Sequence, residues 1–106
     1  MSEFVTVAKA SEIPPGTGRT VEVHDVWIAL FNVNGIFYAL DNTCPHSGGP
    51  LGEGHLTGDI VECPWHGWQF NVRTGKRHQV PDFSVACCPV RVEKDVIQVA
   101  LPPTLT

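Results

Sequence analysis

Two short segments, Cys44-Pro45-His46 and Cys63-Pro64-Trp65-His66, each place a cysteine within three residues of a histidine, and sixteen residues separate them. Thiolate and imidazole are both good ligands for transition metals, so together the segments read as a two-sulfur, two-nitrogen metal site. To bring all four side chains to one centre the chain must turn tightly twice and double back. No other feature of the sequence constrains the fold as strongly. Gly48, Gly49, Gly52, Gly54 and Gly58, with Pro45 and Pro50, supply turn residues in the right stretch.

The chain of 106 residues, 11.6 kDa, fits a single domain spanning 1–106. It has room for one modest core but not for a nucleotide fold beside a catalytic domain. Any elaborate chemistry must therefore come from a cofactor. The formal net charge is −4 and the pI about 5.6, so the basic footprint needed to bind nucleic acid is missing. An acidic surface instead suits solubility and steering towards basic patches on partner proteins. The N-terminal run Met1-Ser2-Glu3-Phe4-Val5 lacks the basic and apolar regions of a signal peptide, and no apolar stretch approaches about 20 residues. The expectation is a soluble, cytoplasmic protein without membrane contact. Cys44 and Cys63 have histidine neighbours, which leaves Cys87 and Cys88, an inventory suited to a reducing compartment.

Short runs with period-two alternation recur between turn signals, the pattern of an all-β domain. Strands are expected over 4–8 and 20–24, then a hairpin of 26–33 and 36–40 about Asn34-Gly35, the dipeptide suited to a type I′ turn. Residues 41–59 read as a folded excursion without its own core. A short strand, 60–62, enters Cys63; Trp68, Phe70 and Val72 alternate with polar residues as the chain leaves it. A last hairpin, 90–93 with 96–100, turns at Lys94-Asp95. No amphipathic helix, sequence repeat or interdomain linker is evident.

Two metals fit the ligand set. Cys2His2 is a closed tetrahedral set for zinc, although zinc sites usually group the cysteines together and the histidines together. It is equally the set of a [2Fe–2S] cluster in which two histidines replace two cysteines on one iron. Replacing anionic thiolates by neutral imidazoles makes such a cluster less negative and easier to reduce. Pro45 and Pro64 fix φ within the turns, and Gly48, Gly49 and Gly67 let backbone approach an inorganic core.

Cys44-Pro45-His46-Ser47-Gly48-Gly49-Pro50-Leu51 and Cys63-Pro64-Trp65-His66-Gly67-Trp68-Gln69-Phe70 resemble the two cluster-binding loops of the Rieske family. The resemblance implies an antiparallel β-sandwich-like domain with an inserted cluster-binding subdomain and one [2Fe–2S] cluster. It assigns Cys44 and Cys63 to the buried iron, and His46 and His66 to the outer iron near the surface. Cytochrome bc-type members join their loops by a disulfide at positions that are Gly49 and Trp65 here, and carry hydroxyl donors where this chain has Trp68 and Phe70. Fewer donors to the cluster sulfurs imply a potential in the lower part of the Rieske range of about −150 to +300 mV. The chain is therefore similar to the soluble Rieske ferredoxins, including their Val-Arg-Thr-Gly run at 72–75. They carry single electrons from a flavoprotein reductase to a terminal oxygenase. The alternative is the small Rieske subunit of assimilatory NAD(P)H nitrite reductase, whose acceptor would be the large subunit.

The cluster's coordination is filled in that family, and the chain has neither a second site with oxygenase-type ligands nor a nucleotide-binding glycine motif. An electron-transfer component is thus expected, not an enzyme. His24, His55 and His78 stand alone in polar or turn-rich sequence and are expected at the surface. Cys87 and Cys88, neighbours on a strand, should face opposite ways as inert thiols. Trp65 and Trp68 are expected to shield the cluster and pack its loops, and Pro81 resembles the proline of a third, covering loop.

Overall fold

The computed structural model describes residues 4–44, 48–65, 67–79 and 83–102. Within them ten strands form three antiparallel sheets: β1 (Val5–Lys9), β2 (Gly18–Val23), β3 (Val26–Val33), β4 (Ile36–Asp41), β5 (His55–Thr57), β6 (Ile60–Glu62), β7 (Gln69–Asn71), β8 (Cys87–Cys88), β9 (Val90–Glu93) and β10 (Val96–Val99). The first sheet has the order β1-β10-β9, the second β2-β3-β4-β8 and the third β5-β6-β7. Helical structure among the described residues is limited to single 3-10 turns at Ala10–Glu12 and Leu51–Glu53. The all-β, sandwich-like reading holds, with strand limits within two residues of those expected.

The organising strand is β3. Ile28 and Leu30 pack into one core with Val21, Val23, Ala39, Ile97 and Val99, between the first two sheets. Ala29 and Phe31, on the opposite face, pack into a second core with Leu40, Leu51, Leu56, Val61, Phe70 and Val72. The middle sheet is therefore covered on both faces, which is why the run Ile28-Ala29-Leu30-Phe31 is apolar without interruption and entirely buried.

The second core corrects one expectation. Residues 41–59 are not a coreless excursion, because Leu51 is fully buried, Leu56 nearly so, and 55–57 form an unforeseen strand of the third sheet. Two buried asparagines tie loops to this frame. Asn32 donates through Nδ2 to the Ile13 carbonyl at 2.7 Å, and its Oδ1 accepts from the Gly35 N–H at 2.7 Å. Asn42 Oδ1 accepts from the Gly52 N–H at 2.7 Å and from the Thr20 hydroxyl at 3.2 Å. The 3-10 turn after the first Cys–His segment is thereby fastened to the middle sheet.

Candidate metal centre

Each cysteine opens a closed backbone ring, and the two rings have the same hydrogen bonds. The Cys44 N–H donates to the Gly49 carbonyl (3.0 Å), while the Cys44 carbonyl accepts from the Gly48 N–H (2.8 Å). The Cys63 N–H donates to the Trp68 carbonyl (2.7 Å), while the Cys63 carbonyl accepts from the Gly67 N–H (3.0 Å). Bonds from residue i to i+5 and from i+4 to i thus recur, and Gly48 and Gly67 share a φ of +77°, a conformation that favours glycine. The sequence contains no repeat, yet these backbone hydrogen bonds recur.

The rings face each other across Gly49. A Cβ placed there would lie 2.7 Å from Cys63 Sγ and 3.3 Å from the Trp65 Cβ, so only glycine lets the loops close. The second distance is near the ~3.5–4.5 Å Cβ separation of a disulfide, so the positions bridged in the bc-type branch are neighbours in this chain too. Cys44 and Cys63 are each 1% exposed, both within the second core. Two buried sulfurs on facing loops, hemmed by glycine backbone, fit the thiolate half of an iron–sulfur cluster. His46 and His66, with Pro45 and Ser47, lie outside the described residues; among the described residues no three metal-ligating side chains gather at one point.

Trp68 is half-buried, with its ring 5.0 Å from that of Phe83 and 6.4 Å from that of Phe70. The Arg77 guanidinium lies over the Trp68 ring, 3.4 Å from its centroid. Nothing in the sequence pairs Arg77 with Trp68; the pairing follows from the isolated bridge between Phe70 and Arg77 that folds the chain back onto β7. Trp65 differs from expectation: it lies where a side chain at Gly49 would strike it but leaves 59% of its surface in solvent, so Trp68 does the packing. Exposed Trp65 and Phe83 give the loop end an apolar surface. Pro81 lies outside the described residues.

The remaining candidates fall as expected. His24 is exposed in the β2–β3 turn, and Cys87 and Cys88 face opposite sides of β8, one exposed and one buried. Burial pushes the Cys87 thiol up, and burial, Asp41 and Cys87 push that of Cys88 up to about 12, so neither is primed as a nucleophile. His55 and His78 are exposed, but the third sheet brings them to the same pocket of about 260 Å³, with Glu62 and Gln69 between them.

Comparison with known proteins agrees with this geometry. The family model for the Rieske [2Fe-2S] domain matches residues 3–92. The biphenyl dioxygenase ferredoxin subunit of Pseudomonas sp. (strain KKS102) is 38% identical over 97 residues, covering 89% of each chain. A chain of the complex of reduced oxygenase and oxidized ferredoxin in carbazole 1,9a-dioxygenase superposes with a TM-score of 0.83 at 37% identity, covering 92% of both chains. A putative NADH-dependent nitrite reductase small subunit from Mycobacterium tuberculosis superposes with a TM-score of 0.87 at 28% identity, covering 96% of this chain and 97% of that one. The cofactor these matches imply is one Rieske-type [2Fe–2S] cluster, so the zinc alternative falls. Alike in loops, sheets and sequence, the chain belongs to the Rieske [2Fe–2S] family.

Proposed function

We propose that the chain is a soluble, cytoplasmic one-electron carrier. It would take electrons from a flavoprotein reductase and deliver them to a terminal ring-hydroxylating oxygenase, without catalysing a reaction itself. The observation that carries this reading is the pair of matched backbone rings opened by Cys44 and Cys63, both buried within the second core. When bound, the cluster supplies a reversible one-electron couple. Cys44 and Cys63 would hold it from the core side, and His46 and His66 from the outer side. The rings tie both cysteine backbones by hydrogen bonds, and Trp68, packed on Phe70 and Phe83, covers the flank of the second ring. Exposed Trp65 and Phe83 beside the loops give a partner an apolar contact, and the net charge of −4 favours basic partner surfaces. Among the described residues no helix is long and apolar enough to cross a membrane.

The biphenyl dioxygenase ferredoxin subunit, similar over 89% of both chains, supports the oxygenase pathway. The second reading, a small subunit of assimilatory nitrite reductase, is favoured by the TM-score of 0.87 to the Mycobacterium protein. Electron paramagnetic resonance of the dithionite-reduced protein tests the carrier: a Rieske-type signal is expected, and a colourless, silent protein would sink the proposal. His66→Cys should shift the spectrum towards the all-thiolate type; an unchanged spectrum removes His66 from the ligand set. Reconstituted electron delivery to an oxygenase, against obligate co-purification with a sirohaem enzyme, separates the two acceptors.

A further inference from the structure

We propose that Arg77 is a positioning residue that makes this protein easier to reduce, by holding a fixed positive charge against the second cysteine ring. The inference rests on the carrier reading above. Three observations support it. The guanidinium carbon lies 3.4 Å from the Trp68 ring centroid, a stacked cation–π contact that fixes where the charge sits. Trp68 is no remote platform, because its carbonyl accepts the Cys63 N–H at 2.7 Å and so closes the ring that holds that cysteine. The charge is also not held in an ion pair: among the described residues the one ion pair is the exposed Arg19–Glu12 contact at 3.7 Å, while the Glu62 carboxylate lies 3.9 Å from where a Gly67 Cβ would stand and faces the same ring.

The backbone keeps this side chain in place. The Arg77 N–H donates to the Phe83 carbonyl at 2.8 Å, and Phe70 and Lys76 form bridges to Arg77 and Ser84. Arg77 and Phe83 are therefore paired neighbours that both contact Trp68, and the guanidinium rests on the indole at little cost in side-chain entropy. When one electron passes from a reduced flavoprotein to the cluster, the site gains one unit of negative charge. A cation fixed nearby, in a partly buried setting where water screens it poorly, favours that state over the oxidised one. The chain lacks hydroxyl donors at Trp68 and Phe70, and Arg77 replaces part of their effect through charge instead of a hydrogen bond.

The test is a redox titration of the cluster-loaded protein and its Arg77→Met, Arg77→Gln and Arg77→Lys variants at low and high salt. Both neutral variants should lower the equilibrium constant for reduction against a fixed reference couple about threefold. That is about 28 mV where a tenfold change in a one-electron couple is 59 mV. Arg77→Lys, which keeps the charge, should restore most of the difference, and the gap should narrow as salt rises. Unmoved potentials in the neutral variants, or an Arg77→Lys value as low as theirs, would overturn the proposal. So would loss of the cluster in both neutral variants, which would assign Arg77 to folding. A missing resonance signal in the unmutated protein would instead defeat the carrier reading itself.

Discussion

At the scale of single residues, the two cysteines outside the loops show how environment separates thiols that are adjacent in sequence. Cys88 points into the first core and Cys87 outwards beside Gly75, where a Cβ would meet the Cys87 sulfur at 3.0 Å. Burial and the neighbouring Asp41 raise the Cys88 pKa to about 12, so its thiolate is scarce at neutral pH. Iodoacetamide at pH 8 is expected to label Cys87 slowly and Cys88 only on unfolding, which peptide mass spectrometry reads directly; rapid native labelling of Cys88 would contradict its burial. The sign of the pH effect follows. A thiol whose pKa is raised by folding contributes its stability fully below the unfolded value of about 8.5, and that stability is lost as pH rises towards about 12. The melting temperature should therefore fall above pH 9, and less steeply in Cys88→Ala. Gly49 and Gly52 belong to the same scale. Their composition announced turns, but their need to be glycine was invisible, because the atoms they must not strike, Cys63 Sγ and the side chains of Thr20 and Asn42, are 10 or more residues away in sequence.

At the scale of elements, alternation and turn chemistry made most strands legible. Asn34 and Gly35 have φ of +53° and +91°, as a type I′ turn requires, and the hairpin on either side is in the expected register. The β2–β3 turn uses His24 and Asp25 at +48° and +67° without any glycine, which a sequence reading does not announce. Left-handed backbone is costly for residues other than glycine, so Asp25→Gly is expected to stabilise the protein by about 0.5 kcal/mol, after allowing for greater freedom in the unfolded chain. A rise of about 2–4 °C in melting temperature checks it; a fall would mean that Asp25 has a side-chain role that outweighs the strain. The unforeseen strand, His55–Thr57, has only Leu56 pointing inwards, too short a pattern to read until Val61 and Phe70 line up beside it.

At the scale of the molecule, the two cores divide the labour. The first core contains neither Cys44 nor Cys63, while the second contains both. Removing the iron should therefore loosen the third sheet and the loops while leaving the first sheet and its packing on β3 intact. Hydrogen exchange of the metal-free protein should then show fast amides at 44–72 and protected ones in β1, β3 and β10; uniform loss of protection would mean the cores do not melt separately. The family was legible from the two Cys–His segments and their neighbours. The Arg77–Trp68 stack and the matched rings were not, since both depend on backbone closure and not on residue pattern. Those rings have an evolutionary consequence. Each counts residues between a cysteine and the carbonyl that receives its N–H, and the histidine occupies the second place after the cysteine in one ring and the third in the other. Side chains within a ring are thus open to exchange, but its length is not. In descendants of this sequence, insertions and deletions should collect elsewhere, as at the Gly58-Asp59 turn between β5 and β6, while the two spans of six residues keep their length long after their letters have drifted.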